Sequence, residues 1–200
     1  MPDPLEQLTN RPFSASGPFT SLFLAAGVHD FVGAARHILT LPYGRIADRR
    51  KFWLVLEEGR GTCTTKHAIL AELAREQEID VHLTLGIYEM NEQNTPGVGQ
   101  VLSAHRLAYI PEAHCYLRYK SGRIDVTGVR PGAEPIDRFL HEEPITTDQI
   151  GAYKNDLHQR FLHGWITRTD IVRGRSLEEV WRIREACIAA LGGGEYSAAN

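Results

Sequence analysis

Cysteine is scarce in this chain: Cys63, Cys115 and Cys187 are the only three among 200 residues. So small and odd a number argues against a disulfide framework and for a reducing compartment in which thiols stay available for chemistry. The expected location is therefore cytoplasmic. Long apolar runs are missing as well, and no stretch approaches the roughly 20 apolar residues of a membrane span. The opening MPDPLEQLTNRP lacks the basic flank and apolar run of a secretory signal, while the apolar Phe19 to Val28 lies late and contains Gly27. Excess charge is absent too. A net charge of -3, with Arg49-Arg50-Lys51 as the longest basic cluster, gives no reason to expect nucleic acid or an anionic membrane as partner. No internal repeat or low-complexity tract is present.

What is there is an ordinary globular composition, 42% hydrophobic and 24% charged, and enough chain to bury a core. Pro2, Pro4, Pro12, Gly17 and Pro18 make residues 1–20 an extended or loosely packed arm. Apolar spacing predicts a helix from Asp30 to Leu41, stopped by Pro42-Tyr43-Gly44. Asp48 to Glu57 contains FWLVL, short enough for strand or helix; Asp48 as a cap and Gly59 as a stop favour helix. A third helix follows Cys63. Alternation over Val81 to Tyr88 predicts a half-buried strand, and Asn91 to Gly99 a loop. A strand from Leu107, interrupted at Pro111, resumes through His114 to Tyr119; Ser121-Gly122 then turns it into Arg123 to Thr127. Pro131, Gly132 and Pro135 form a connector. Two helices end the chain, the last running from Leu177 to Leu191, with Ser176 and Glu179 as a capping box and Gly192 at its end. Helices, then strands, then helices predict an α+β fold. The expected layout is a core over residues 1–145 and a helical extension over 146–200, packed as one structural domain.

The chemistry concentrates in GTCTTKHAILAELA, residues 61–74, which puts Cys63 where a glycine-bearing turn enters a helix. A thiol there meets backbone N–H groups and the positive end of the macrodipole, and both favour thiolate. AHCYLRY supplies His114 and RIDVTG supplies Asp125. In that order they suggest a nucleophile, a base and an orienting group. Cys115 and Cys187 read as core packing, and Trp165, Trp181 and Phe161 as helix packing. His105, His141, His158 and His163 read as surface residues.

On these residues the chain resembles the transglutaminase-like superfamily over roughly Gly59 to Gly128. The resemblance implies a papain-like core with the cysteine at a helix N-terminus packed on an antiparallel sheet, and catalytic roles for Cys63, His114 and Asp125. Cys115-Tyr116 and Val126-Thr127 depart from the family's small residue with tryptophan and its proline-threonine. The implied reaction is acyl transfer or hydrolysis at a peptide or protein amide, with an amine or water as acceptor, through a thioester on Cys63. No metal or organic cofactor is implied. The backbone N–H of Cys63 is the natural first oxyanion donor. Thr62, Trp53, Asn94 and Glu112 are the further oxyanion or substrate-binding candidates.

One geometric conflict arises. A two-residue turn at Ser121-Gly122 leaves His114 and Asp125 on one face but four residues out of register, roughly 13 Å apart. A bulge, or a turn nearer Tyr119-Lys120, removes the offset, and Asn91 or Asn94 is the substitute orienting group. Two rival readings stand beside the enzyme. One is a protein- or peptide-binding module that keeps the fold without activity. The other is a metal site of Cys63, His67 and His114.

Overall fold

The computed structural model describes residues 5, 7, 8, 10–120, 122–128 and 133–191. Among them the chain forms seven α-helices and a four-stranded antiparallel sheet, an α+β arrangement. The helices are α1 (Pro18–Ala25), α2 (Phe31–Thr40), α3 (Leu54–Glu58), α4 (Cys63–Glu76), α5 (Gly99–Ala104), α6 (Ala152–Arg168) and α7 (Leu177–Leu191). The strands are β1 (Val81–Met90), β2 (Ile110–Tyr119), β3 (Gly122–Ile124) and β4 (His141–Pro144), ordered β3-β2-β1-β4. No described helix is long and apolar enough to cross a membrane.

The chain divides into two compact units, each drawn from several stretches of sequence. The first comprises Met1–Leu85, His114–Gly128 and Glu143–Gly151; the second comprises Gly86–Ala113, Val129–Glu142 and Ala152–Asn200. In the first, α4 is the hub, in contact with α1, α2, α3 and the 3-10 turn Thr147–Ile150. Its opening residues, Cys63 to Leu70, are all buried. A helix covered on every side has no solvent face for its polar residues. The expected apolar stripe is therefore only part of the story, because Thr64, Thr65, Lys66 and His67 are buried with it.

Local chemistry explains where these elements begin and end. Asp30 accepts the Gly33 N–H at 2.6 Å and caps α2. Gly59, at φ +62°, closes α3, but that helix starts only at Leu54 because Asp48 turns the backbone through bonds to Arg50 and Lys51. The expected loose N-terminal arm is instead tied down over residues 14–20. Gln77 accepts from the Ser14 and Ala15 N–H groups, and Glu76 accepts from Phe19 and Thr20 at the start of α1. Strand β1 is buried on both faces rather than half-buried, and β2 runs straight through Pro111. Sequence periodicity missed α1, α5 and β4, which are short.

The second unit packs α5, α6 and α7 around Met90, Leu102, Ile110, Leu162, Trp165 and Ile183. The α7 capping box forms as expected: Ser176 N–H donates to Glu179 Oε2 at 2.7 Å, and Glu179 N–H to Ser176 Oγ at 3.2 Å. Pro2, Pro4, Ser121, Pro131, Gly132 and Gly192 lie outside the described residues.

Candidate functional site

Gly61 sets up the approach to Cys63. Its N–H donates to Pro42 O and its carbonyl accepts from Gly44, so the turn is stitched to the chain beyond α2. A Cβ at Gly61 would come within 2.9 Å of Lys66 Cγ and 3.0 Å of Val55 Cγ2, which leaves room only for hydrogen. Thr62 is the N-cap of α4. Its N–H donates to Thr65 Oγ1 at 3.1 Å and its carbonyl accepts from Lys66 N–H. That N–H is thus engaged in capping α4.

Cys63 is the first residue of α4 and retains 8% of its surface, whereas Cys115 and Cys187 have none. Burial pushes the Cys187 thiol up to about 11, helped by Glu112 and opposed by Arg184. The Cys63 sulfur has polar neighbours, with Thr64 Oγ1 at 3.8 Å. His114 hydrogen-bonds the same sulfur. The other side of the ring meets Asp125, with His114 Nε2 and Asp125 Oδ2 2.5 Å apart. The structure therefore brings all three residues into one chain of contacts.

Register accounts for this. Leu117 pairs with Ile124, Arg118 with Arg123 and Tyr119 with Gly122. Gly122 is already in the ladder, and the connection starts at Lys120, a non-glycine at φ +53°. Continued one step past Ile124, this register would set Asp125 opposite Tyr116, two positions from His114 and on its face of the sheet. Such a diagonal lies within reach of two medium-length side chains. Moving the turn back from Ser121-Gly122 removes the expected conflict, and no asparagine is needed to orient the ring.

Electrostatics couple the three groups. Burial alone would lower His114, but the Asp125 carboxylate and the Cys63 sulfur outweigh it and raise the ring well above its ordinary 6.5. Burial likewise opposes the charge on Asp125, yet His114, His67 and Thr127 hold that carboxyl far below the usual range. Asp125 remains 26% exposed. The Tyr116 ring lies beside His114, 19° from parallel, and the Arg123 guanidinium sits 4.7 Å from the Tyr116 ring centre.

His67 and Lys66 complete the site. His67 Nδ1 lies 2.6 Å from Cys63 O, and Nε2 accepts the Val126 N–H at 2.8 Å. An accepting Nε2 and a carbonyl at Nδ1 define the neutral Nδ1–H tautomer. Burial accordingly takes this ring down to about 4, against Asp125. Both nitrogens are engaged, so the Cys63–His67–His114 metal reading fails for want of a lone pair. Among the described residues, no group of three or more His, Cys, Asp or Glu side chains is placed to hold a metal. Lys66 Nζ donates to Leu41 O at 2.5 Å, Thr127 O at 2.9 Å and Val126 O at 3.4 Å. The sequence reading gave Lys66 no role and His67 only that of a metal ligand. The available signal was a lysine and a histidine within the first two turns of a helix that had to be buried.

The remaining candidates are Trp53, Asn94 and Glu112. Trp53 stands at the start of α3 with its ring edge on Phe52. Asn94 belongs to the second unit and closes its own loop, donating to Glu89 O and accepting from Asn91 N–H. Glu112 is also in the second unit. It is buried in a two-pronged pair with Arg184, near His158. Burial would raise its carboxyl, but Arg184 and His158 bring it down. His158 is buried, not superficial, and bonds Pro111 O. No protein-family model, curated protein or solved structure matches this chain.

Proposed function

We propose that this protein is a thiol-dependent acyltransferase or hydrolase acting on an amide through a thioester on Cys63. The observation that carries the reading is the continuous contact from Cys63 through His114 to Asp125. Resemblance of the Cys63, His114 and Asp125 motifs to the transglutaminase-like superfamily supports it and extends it to a papain-like core. A cysteine at a helix start, a histidine within a strand and a carboxylate just past the next strand are the parts that chemistry uses.

The thiolate adds to the amide carbon, forming a C–S bond and moving the carbonyl electrons onto oxygen. The positive end of α4 and its N-terminal N–H groups favour that negative charge. Collapse breaks the C–N bond, and the His114 imidazolium protonates the departing amine. Water or a second amine then attacks the thioester and gives its proton to His114. The C–S bond breaks, and thiolate and imidazolium are restored. Asp125 keeps the ring oriented and stabilises its charged form. Peptide or protein amides are the proposed substrates, and the proposed location is the cytoplasm.

The test is iodoacetamide alkylation of Cys63 as a function of pH, followed by peptide mass spectrometry. The wild type should show an inflection well below 8, and His114→Ala should return it toward the ordinary 8.5 of a thiol. Labelling as slow as a small free thiol in both proteins would favour a binding module that keeps the fold without the reaction.

A further inference from the structure

Two consecutive residues of α4 grip the backbone that follows Asp125, across three successive peptide units. His67 Nε2 accepts the Val126 N–H, while Lys66 Nζ reaches the Val126 and Thr127 carbonyls. Val126 directly follows Asp125, so both polar groups of its backbone are fixed from the helix that begins at Cys63. Lys66 adds a third bond to Leu41 O, which brings the end of α2 to the same point. An uncharged amine has two N–H donors and a lone pair that a third carbonyl would repel. Three carbonyl acceptors therefore define an ammonium, buried within the unit that holds Cys63 and Asp125.

We propose that Lys66 is a positioning residue for the Cys63–His114–Asp125 site: its clamped ammonium fixes the segment carrying Asp125 against the start of α4 and adds, at neutral pH, a positive charge that favours the Cys63 thiolate. The proposal rests on the thiol reading given above. The charged groups that act on the sulfur are Lys66 from α4 and His114 from β2; Asp125, after β3, contacts the His114 and His67 rings, and His67 bonds the Cys63 carbonyl. His67 is held neutral by its hydrogen bonds. Lys66 and the His114 imidazolium are then the two cations at the site, opposite the Cys63 and Asp125 anions. Burial lowers Lys66 to about 8, while Asp125 and Cys63 pull it back up, so it keeps its proton at neutral pH.

Lys66→Met removes the charge and the three donors while keeping most of the stem. In the folded variant, checked by circular dichroism and gel filtration, the alkylation inflection of Cys63 should rise by about one pH unit. The labelling rate below the wild-type inflection should fall about tenfold. A purely structural lysine would change stability and leave the inflection of the folded fraction in place. If Lys66→Met does not fold, Lys66→Gln, which retains two N–H donors, replaces it under the same readout. Failure of both variants to fold overturns the proposal in favour of a structural strut. Wild-type and His114→Ala curves that coincide with a free thiol would instead remove the thiol reading itself. A low wild-type inflection, raised in His114→Ala but unmoved in folded Lys66→Met, overturns the Lys66 proposal alone.

Discussion

Asp125 divides its two oxygens between function and frame. Oδ2 meets the His114 ring and Oδ1 accepts the Thr127 N–H at 2.9 Å. The anion raises His114, so Asp125→Asn should lower the midpoint of the His114 ring titration, followed by NMR, by one unit or more. An unmoved midpoint would mean that the carboxylate does not govern the ring. His67 makes the opposite case. Its folded pKa of about 4 lies below the ordinary 6.5, so the unfolded chain takes up the proton first and stability falls as pH drops through that window. His67 alone should remove about 2 kcal/mol between pH 7 and 5. Urea unfolding across that range should accordingly show a steeper loss for the wild type than for His67→Asn; parallel slopes would refute the assignment.

At the scale of elements, α4 carries the site and also organises the unit around it. The turn before it tolerates no side chain, because Lys66 Cγ and Val55 Cγ2 occupy the space a methyl would need. Gly61→Ala should cost roughly 1–3 kcal/mol in urea denaturation, and Cys63 labelling should change with it as the helix start shifts. Full stability with unchanged labelling would show that the turn relaxes freely. The β2–β3 hairpin supplies the other half of the site. A turn begun at Lys120 rather than Ser121 brings His114 and Asp125 within side-chain reach. Sequence alone could not choose between the two, since lysine at positive φ is an uncommon solution to a turn that Ser121-Gly122 advertises more strongly.

For the whole molecule, the chain folds as two units with separate polar interiors. The second holds the buried Glu112–Arg184 pair, with Arg184 also over the Trp181 ring and beside Glu185. Removing one partner leaves the other charge buried and unpaired, so Arg184→Met should cost about 3–5 kcal/mol, and Glu112→Leu with Arg184→Met considerably less. Urea titration of the two variants checks the ordering, and a double variant as unstable as the single one would contradict it. Glu112 stood among the substrate-binding candidates because it lies two before His114, a position that says nothing about its pairing with Arg184 of α7.

The chain by itself determined the local grammar: the cap at Ser176, the stop at Gly59, the α+β order, and the three residue types whose motifs suggested thiol chemistry. Those features depend on neighbours a few positions away, and short-range hydrogen bonding writes them directly into sequence. Tertiary structure alone decided that His114 meets Asp125, that His67 is neutral and unavailable to a metal, and that a lysine in a polar run is buried beneath three carbonyls. Each of those outcomes depends on groups between 11 and 61 positions apart. Packing, not spacing, sets which polar atoms must find one another.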